Sequence, residues 1–289
     1  QHVQNALLKT LEEPPADTGR PGRPSLVVLP EPTRAYVLAF DVAVDRLVAA
    51  RVDLGGAIVE RYEAVRPRAG PDLELVVDVL ARFGRRLHAS APSGSACVGV
   101  GASYCGMIRP GDGMVRYGPD LGWVDQAFGA ELGRRLGLGL PVAVGNEAHL
   151  GAQAEQQRGA GIGHQNLIYL HGDVGVGGGI IVGGSLLAGD GGYGCEVGHM
   201  IVNPYDGRRC LCGSQGCFEA EVGERALLDL AGRPATEFGW DAVRSVVDDA
   251  NRGDPAAQEA VRRVGDWLGI GVVNLINLFN PGMVVFGGT

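Results

Sequence analysis

Residues 196–219 limit the possible folds of this chain more than any other segment. Three cysteines lie within eight residues there, and a histidine lies eleven residues before the first of them. Thiolates and an imidazole are the ligands that a tetrahedral zinc prefers. Gly213 and Gly216 allow the sharp turns that aim the last cysteine back at the same ion. The segment therefore predicts one zinc site, against the alternative of a loop with unpaired thiols. The four predicted ligands are His199, Cys210, Cys212 and Cys217.

This segment also resembles the signature of a known family. It reads E-V-G-H and then C-x-C-G-x-x-G-C-x-E, which is similar to the ROK family (Repressor, ORF, Kinase) of bacterial sugar kinases and sugar-responsive repressors. The similarity of pattern extends from about Arg20 to the last residue. It points to the transcriptional-regulator branch, which resembles xylose and N-acetylglucosamine repressors. The resemblance implies an α/β, actin-like ATPase (ribonuclease H-like) fold of two lobes, with a sugar bound beside a structural zinc.

The composition is typical of a globular protein with two cores. The chain has 289 residues, of which 45% are hydrophobic and 20% are charged. Its formal net charge of −8 argues against a nucleic-acid binder that uses its whole surface, but it leaves room for a small basic element. No apolar run is long enough for a membrane span and no secretion leader is visible, so we expect a cytoplasmic protein without membrane contacts.

The chain's first 34 residues resemble the end of a winged helix-turn-helix followed by a basic linker. Apolar spacing predicts a helix over residues 2–13, which Pro14 and Pro15 stop, and residues 26–29 read as a strand. Between them, Arg20 and Arg23 stand in an extended Pro/Gly arm that would suit the narrow minor groove of A/T-rich DNA. The alternative is a plain linker with incidental arginines. We also expect the chain to be truncated at both ends.

Two series of elements predict the two lobes. An antiparallel meander of three strands followed by alternating helices and strands favours a first lobe over residues 35–160. A second series favours an incomplete second lobe over residues 161–289. The predicted strands cover residues 36–40, 46–52, 57–62, 96–100, 141–144, 166–170, 179–182 and 283–286. The predicted helices cover residues 73–87, 123–136, 148–157 and 256–279.

Two turns resemble the phosphate-binding turns of actin-like sugar kinases, but both depart from that pattern. Where the family usually has D-x-G-G-T, this chain keeps Asp41 and has neither the glycines nor the threonine. Where the family has G-T-G-x-G-x-G, Asp173 replaces the threonine, whereas Gly175 and Gly177 remain. We expect Asp45 and Asp173 to repel a polyphosphate, by on the order of one to several kcal/mol each. The turns should be vestigial, and the alternative is that ATP still binds.

Asn146 and Glu147 open a helix after a predicted strand. Taken alone, they favour a helix cap with an acid in the first turn. The resemblance aligns them with an Asn-Asp pair in which Asn binds the sugar and Asp is the general base toward a sugar hydroxyl. Glu147 is one methylene longer, which displaces its carboxylate by roughly 1 Å and can cost about a hundredfold in rate. The family pattern implies five sugar contacts. They are Asn146, Glu147, Glu196, His199 and Glu219.

These observations favour a sugar-responsive transcriptional regulator over an enzyme. In that hypothesis the partners are a sugar effector, operator DNA in the full-length protein, and further copies in a homodimer or tetramer. The competing hypothesis is an ATP-dependent sugar kinase of the same family, with Glu147 as its base. A third hypothesis is a structural or interaction protein that has lost both functions.

Overall fold

Two short strands precede the first lobe and pair with each other. The computed structural model describes residues 8–10, 28–30, 33–66, 72–119 and 121–288. Strand β1 (Leu8–Thr10) runs antiparallel to β2 (Val28–Pro30). The helix predicted over residues 2–13 is therefore wrong at β1, because pairing with β2 takes the place of helical hydrogen bonds there. Arg20 and Arg23 lie outside the described residues, as does most of the predicted winged helix-turn-helix remnant.

The first lobe is built around a five-stranded sheet. Its strand order is β10-β6-β3-β4-β5, and β3, β4 and β5 form the predicted antiparallel meander. Strands β6 and β10 run parallel to β3, as their helical crossovers require. The elements of this lobe, in chain order, are β3 (Ala35–Val42), β4 (Arg46–Asp53), β5 (Ile58–Val65), α1 (Leu73–Ala89), β6 (Ala96–Tyr104), β7 (Met107–Arg109), β8 (Met114–Gly118), β9 (Trp123–Gln126), α2 (Phe128–Leu136), β10 (Val142–Asn146) and α3 (Glu147–Arg158).

The core of this lobe lies between one face of the sheet and helices α1 and α2. Alternate residues of β3, including Leu38 and Phe40, are buried on that face, while α1 presents Leu80 and Leu87 at helical spacing. Fully burying each of these side chains contributes about 1.5–3 kcal/mol. The other face of the sheet carries Asp41 toward the second lobe.

A small antiparallel sheet, β7-β8-β9, projects from this lobe and corrects one prediction. Residues 123–136 were expected to form one helix, but Trp123 begins β9, and α2 begins only at Phe128. The Trp123 ring stacks on Tyr104 at 5.2 Å between centroids, and Val124 pairs with Tyr117 of β8. Aromatic stacking and strand pairing thus override the helical spacing of the segment.

The second lobe contains a four-stranded sheet of order β13-β12-β11-β14, covered by helices. Strand β14 runs parallel to β11, and the long helix α7 supplies the crossover before it. Asp254 caps α7 by accepting a hydrogen bond from the Ala257 N–H. The elements are β11 (Leu167–Gly172), β12 (Val176–Val182), β13 (Ser185–Leu186), α4 (Phe218–Val222), α5 (Glu224–Leu230), α6 (Trp240–Asn251), α7 (Pro255–Phe279) and β14 (Met283–Gly288).

Helix α3 connects the lobes. It follows β10 of the first sheet and lies against β12 of the second, where a side chain at Gly179 would come within 2.6 Å of the Ala152 Cβ. The turns after β3 and β11 and the junction of β10 with α3 therefore open into one region between the sheets. Within the described part of the chain, no helix is both long and apolar enough for a membrane crossing.

Candidate functional site

The five predicted sugar contacts line a single cleft between the lobes. The cleft spans about 900 Å³ of space, part of which is open solvent. Two of the contacts come from the β10–α3 junction, two from the loop before the cysteine cluster, and one from the first turn of α4. They are Asn146, Glu147, Glu196, His199 and Glu219.

Asn146 serves first as the cap of α3. Its Oδ1 accepts hydrogen bonds from the backbone N–H groups of Ala148 and His149 at 2.9 and 3.1 Å. Its Nδ2 donates to the Gly106 carbonyl at 3.0 Å. An amide nitrogen has two donors, so one N–H of Asn146 can still be offered to a ligand in the cleft. The capping expectation is thus confirmed, and it leaves Asn146 a donor toward a sugar.

Glu147 stands beside a histidine that the sequence reading missed. The Nε2 atom of His171 lies 4.0 Å from Glu147 Oε1, and its Nδ1 shares a 3.0 Å hydrogen bond with the Tyr169 hydroxyl. Burial lowers the pKa of His171, against the smaller opposite effect of the nearby carboxylates of Asp173 and Asp41. His171 lies near the end of β11, just before the second phosphate-type turn, and that position was the only signal in the sequence that could have revealed it.

Two further carboxylates face the cleft from the second lobe. Burial raises the pKa of Glu196, opposed by His199 and supported by the negative charge of Glu219. Glu219 Oε1 accepts a hydrogen bond from the Cys210 thiol at 3.1 Å and lies 3.4 Å from His199 Nδ1. Glu219 therefore connects the wall of the cleft directly to the cysteine cluster.

The structure brings the four predicted metal ligands together. Their ligand atoms all lie within 4.8 Å of one another. Cys210 Sγ is 3.7 Å from His199 Nδ1, and Cys212 Sγ is 3.7 Å from Cys217 Sγ. A tetrahedral zinc with Zn–S bonds of about 2.3 Å separates two sulfurs by roughly 3.8 Å. Donor types and spacings therefore fit a divalent metal such as zinc.

The backbone around the cluster explains its glycines. Gly216 has a φ of 73°, and a side chain there would overlap the Asn203 carbonyl oxygen. Ile201 and Cys217 form an antiparallel bridge, and the Phe218 N–H donates to the Met200 carbonyl at 2.7 Å. These contacts tie the segment that carries His199 to the cysteine loop, so that His199 and Cys217 meet.

The two phosphate-type turns are joined by an ion pair. Arg46, from the turn after β3, donates through Nη2 to Asp173 Oδ2 in the turn after β11 at 2.8 Å. Its Nη1 lies 3.2 Å from Asp45 Oδ1. The expectation that Asp45 and Asp173 repel a phosphate as isolated charges needs correction, because both carboxylates pair with the same guanidinium. Asp41 accepts a hydrogen bond from the Ser103 hydroxyl at 2.6 Å.

Close packing explains why glycines remain in the second phosphate-type turn. A side chain at Gly175 would come within 2.8 Å of Glu219 Oε2, and one at Gly177 would come within 3.1 Å of the Ala148 Cβ. These residues therefore allow the close approach of β12 to the cleft wall and to α3. Their presence is accounted for without a bound phosphate.

Comparison with known proteins places the chain in a family. The model described as "ROK family" matches residues 37–289. The chain is 29% identical over 266 residues to a xylose repressor of Bacillus spizizenii, which covers 91% of this chain and 67% of the repressor. It is 31% identical over 267 residues to a glucokinase of Streptomyces coelicolor, which covers 87% of this chain and 81% of the kinase.

A solved structure supports the same fold. A ROK family transcriptional regulator, described as a homologue of the E. coli MLC protein, aligns with a TM-score of 0.78 and 24% identity. The alignment covers 99% of this chain and 73% of that chain, and at this identity it shows the fold alone. The expected α/β actin-like fold of two lobes is confirmed, and relatives of both the repressor and the kinase kind match at similar identity. The chain belongs to the ROK family.

Proposed function

We propose that this chain is the sugar-sensing part of a transcriptional regulator and transfers no phosphate. The observation that carries the proposal is the Arg46–Asp173 ion pair, which spans the gap between the two phosphate-type turns. An arginine held by two carboxylates is not available to a polyphosphate without breaking those pairs. Ala43 and Val44 stand where the family pattern has glycines after Asp41, and their side chains hinder the close approach of the backbone N–H groups to phosphate oxygens.

The cleft has the donor and acceptor chemistry of a polyol site. The carboxylates of Glu147, Glu196 and Glu219 can each accept from sugar hydroxyls, while the remaining N–H of Asn146 can donate. His199 faces both the cysteine cluster and the cleft, so its Nδ1 can bind a metal while its Nε2 meets the sugar. These five groups from both lobes would let a bound sugar set the angle between the lobes.

We assign the cluster of His199, Cys210, Cys212 and Cys217 to a structural zinc. A metal there would fix the loop that carries Glu196 and would hold Cys210 away from Glu219. Zinc binding and sugar binding should therefore be coupled, although the metal takes no part in any bond-making step. In this hypothesis the zinc orders the effector site.

DNA contacts are assigned to the arm that carries Arg20 and Arg23. Short basic arms with prolines remain extended, and arginine suits the narrow minor groove. In this proposal the lobes have two arrangements, and the sugar binds one of them more tightly than the other. Sugar binding would thereby change the affinity for DNA by about 1–3 kcal/mol. The proposal places the protein in the cytoplasm, where sugar effector and operator are both accessible.

A sugar kinase remains the second candidate because specific residues favour it. Asp41 and Glu147 keep carboxylates at the positions of the metal-orienting acid and the base in the family pattern. Thermal-shift screening against hexoses, N-acetylhexosamines and pentoses, with and without ATP and Mg²⁺, separates the two candidates. The regulator predicts stabilisation by one sugar class and none by ATP. Stabilisation by ATP that increases when the sugar is present would instead support the kinase.

A further inference from the structure

Strand β5 forms the outer edge of the five-stranded sheet. Among the described residues it pairs only with β4. Its side chains alternate in exposure, and one face of the strand is open to solvent along its whole length. Val65 on that face is 89% exposed, and Val59, at a β-bulge near the start of the strand, is 54% exposed. Beyond the bulge, the residues of this open face are Arg61, Glu63 and Val65.

The backbone of β5 offers hydrogen bonds to a further strand. The Arg66 N–H donates to the Asp45 carbonyl at 2.7 Å, so residue 66 directs its backbone groups toward β4. Backbone direction alternates along a strand. The N–H and C=O groups of Arg61, Glu63 and Val65 therefore point away from the sheet, at the open edge. These are the residues that also present their side chains on the open face.

The sequence of this face is complementary to itself in antiparallel orientation. If Tyr62 lies on a two-fold axis, Arg61 stands opposite Glu63 of a second copy, and Glu63 stands opposite Arg61. Both residues have outward backbone groups, as a hydrogen-bonded pair requires, and both lie beyond the β-bulge at Val59. Shifting the register by one allowed step places Arg61 opposite Arg61, or Glu63 opposite Glu63. Like charges directly opposite are unfavourable, so charge selects the one register.

The face of β5 that packs against α1 leaves space for a second copy at the strand edge. Tyr62 stacks on Phe83 of α1 at 5.5 Å between ring centroids, beneath the guanidinium of Arg86 at 4.6 Å. Helix α1 lies mainly over β4. With strands about 4.8 Å apart, the two copies of α1 would be separated by roughly 14 Å, and the two Tyr62 side chains would fill the space between them.

From this complementarity we propose that the outer edge of β5 is a homodimer interface, at which two copies pair antiparallel around Tyr62 into a continuous ten-stranded sheet. Each dimer contains two Arg61–Glu63 pairs between copies, which replace the pair that these residues make within one copy at 2.6 Å. The interface is independent of whether the chain acts as a regulator or as a kinase. It lies on the edge of the first lobe, away from the cleft.

Charge reversal tests both the interface and its register. Arg61→Glu gives a chain with two acids on the open face, and Glu63→Arg gives a chain with two bases. Each variant alone should dissociate, with the dimer dissociation constant raised on the order of tenfold to a hundredfold, because two attractive pairs become repulsive. An equimolar mixture of the two variants should form heterodimers, and the double variant Arg61→Glu/Glu63→Arg should dimerise like the wild type.

Sedimentation velocity of the full chain over a concentration series provides the measurement, with thermal unfolding as the check that each variant is folded. Arg262→Glu, on the exposed surface of α7, is the matched control and should leave the mass unchanged. Halved mass for each single variant, regained in the mixture, supports the interface. A wild type that stays monomeric, or single variants that assemble like the wild type, overturns it, as does a mixture that remains dissociated while both variants are folded.

Discussion

Arg46 Nη2 lies 2.8 Å from Asp173 Oδ2, so one ion pair joins the turn after β3 in the first lobe to the turn after β11 in the second. Both side chains are largely buried, with 23% and 16% of their surface exposed. Burial tends to lower the pKa of Arg46, but the hydrogen bond to Asp173 and the negative charge of that carboxylate raise it overall. The guanidinium therefore stays charged. The pair stabilises the approach of the two lobes at a place where the family pattern would bind phosphate.

Removing this ion pair should loosen the lobes. We expect Arg46→Ala to lower the free energy of unfolding by about 1.5–3 kcal/mol, because Asp173 loses a charged hydrogen bond in a partly buried site. Sugar affinity should fall as well, since the cleft is formed by both lobes. Chemical denaturation and calorimetric sugar titration give the two quantities, with a double-mutant cycle through Asp173→Ala. The surface variant Arg262→Ala should change stability by less than about 1 kcal/mol. Equal losses of unfolding free energy in Arg46→Ala and Arg262→Ala would contradict the stabilising role of the Arg46–Asp173 pair.

Disrupting the cysteine cluster should remove metal and sugar binding together. We expect about one equivalent of zinc per wild-type chain, since the four ligands form a closed structural set. Cys210→Ser should lose that metal and bind the sugar more weakly, because Glu219 and the loop of Glu196 depend on the cluster. Elemental analysis and sugar titration of the same preparation provide the test. Cys97→Ser, at a cysteine outside the cluster, should retain both properties. Well-folded wild type without metal would disprove the zinc assignment.

Shortening the candidate base should not create a kinase. Glu147→Asp returns the side chain to the length of the family's base, but Arg46 still pairs with Asp173 and the first turn still lacks its glycines. We therefore expect no sugar-dependent ADP release above background in a coupled assay. Glu147→Gln is the matched control, which removes the charge and keeps the length. Clear turnover in the aspartate variant alone would mean that the phosphate turns function.

Acidification should destabilise the protein through a buried histidine. His149 Nε2 lies 3.0 Å from the Gly194 carbonyl oxygen, and burial lowers the pKa of His149 below the usual histidine value of about 6.5. A histidine with a lowered pKa in the folded state stabilises the fold above pH 6.5 or so and loses that contribution as pH falls further. The stability difference between wild type and His149→Asn should therefore shrink as the pH is lowered from 7.5. A constant difference across this range would show that His149 does not titrate as proposed.

Charge removal in the amino-terminal arm should weaken DNA binding. In the full-length protein, Arg20→Ala and Arg23→Ala should each reduce operator affinity and lower the salt dependence of binding by about one unit per lost phosphate contact. Fluorescence anisotropy with a selected operator at several salt concentrations measures both. Unchanged affinity and unchanged salt slope in the double variant would identify the arm as a plain linker.

The sequence predicted those elements whose determining residues lie close together along the chain. Alternating apolar residues predicted the meander of β3, β4 and β5, and the spacing of cysteines with His199 predicted a cluster that the structure assembles. The Arg46–Asp173 pair could not be predicted, because 127 residues separate its partners and only the arrangement of the lobes brings them together. The helix expected from Trp123 failed because stacking on Tyr104 is a tertiary contact.

The central claim is that the chain binds a sugar without phosphorylating it. The most direct test incubates the protein with saturating ATP, Mg²⁺ and the sugar that binds best, and measures ADP formation alongside sugar binding by calorimetry. We expect saturable sugar binding with ADP formation no faster than in the absence of sugar. Sugar-dependent ADP formation near the typical enzyme rate of about 10 per second would contradict the regulator and establish a kinase.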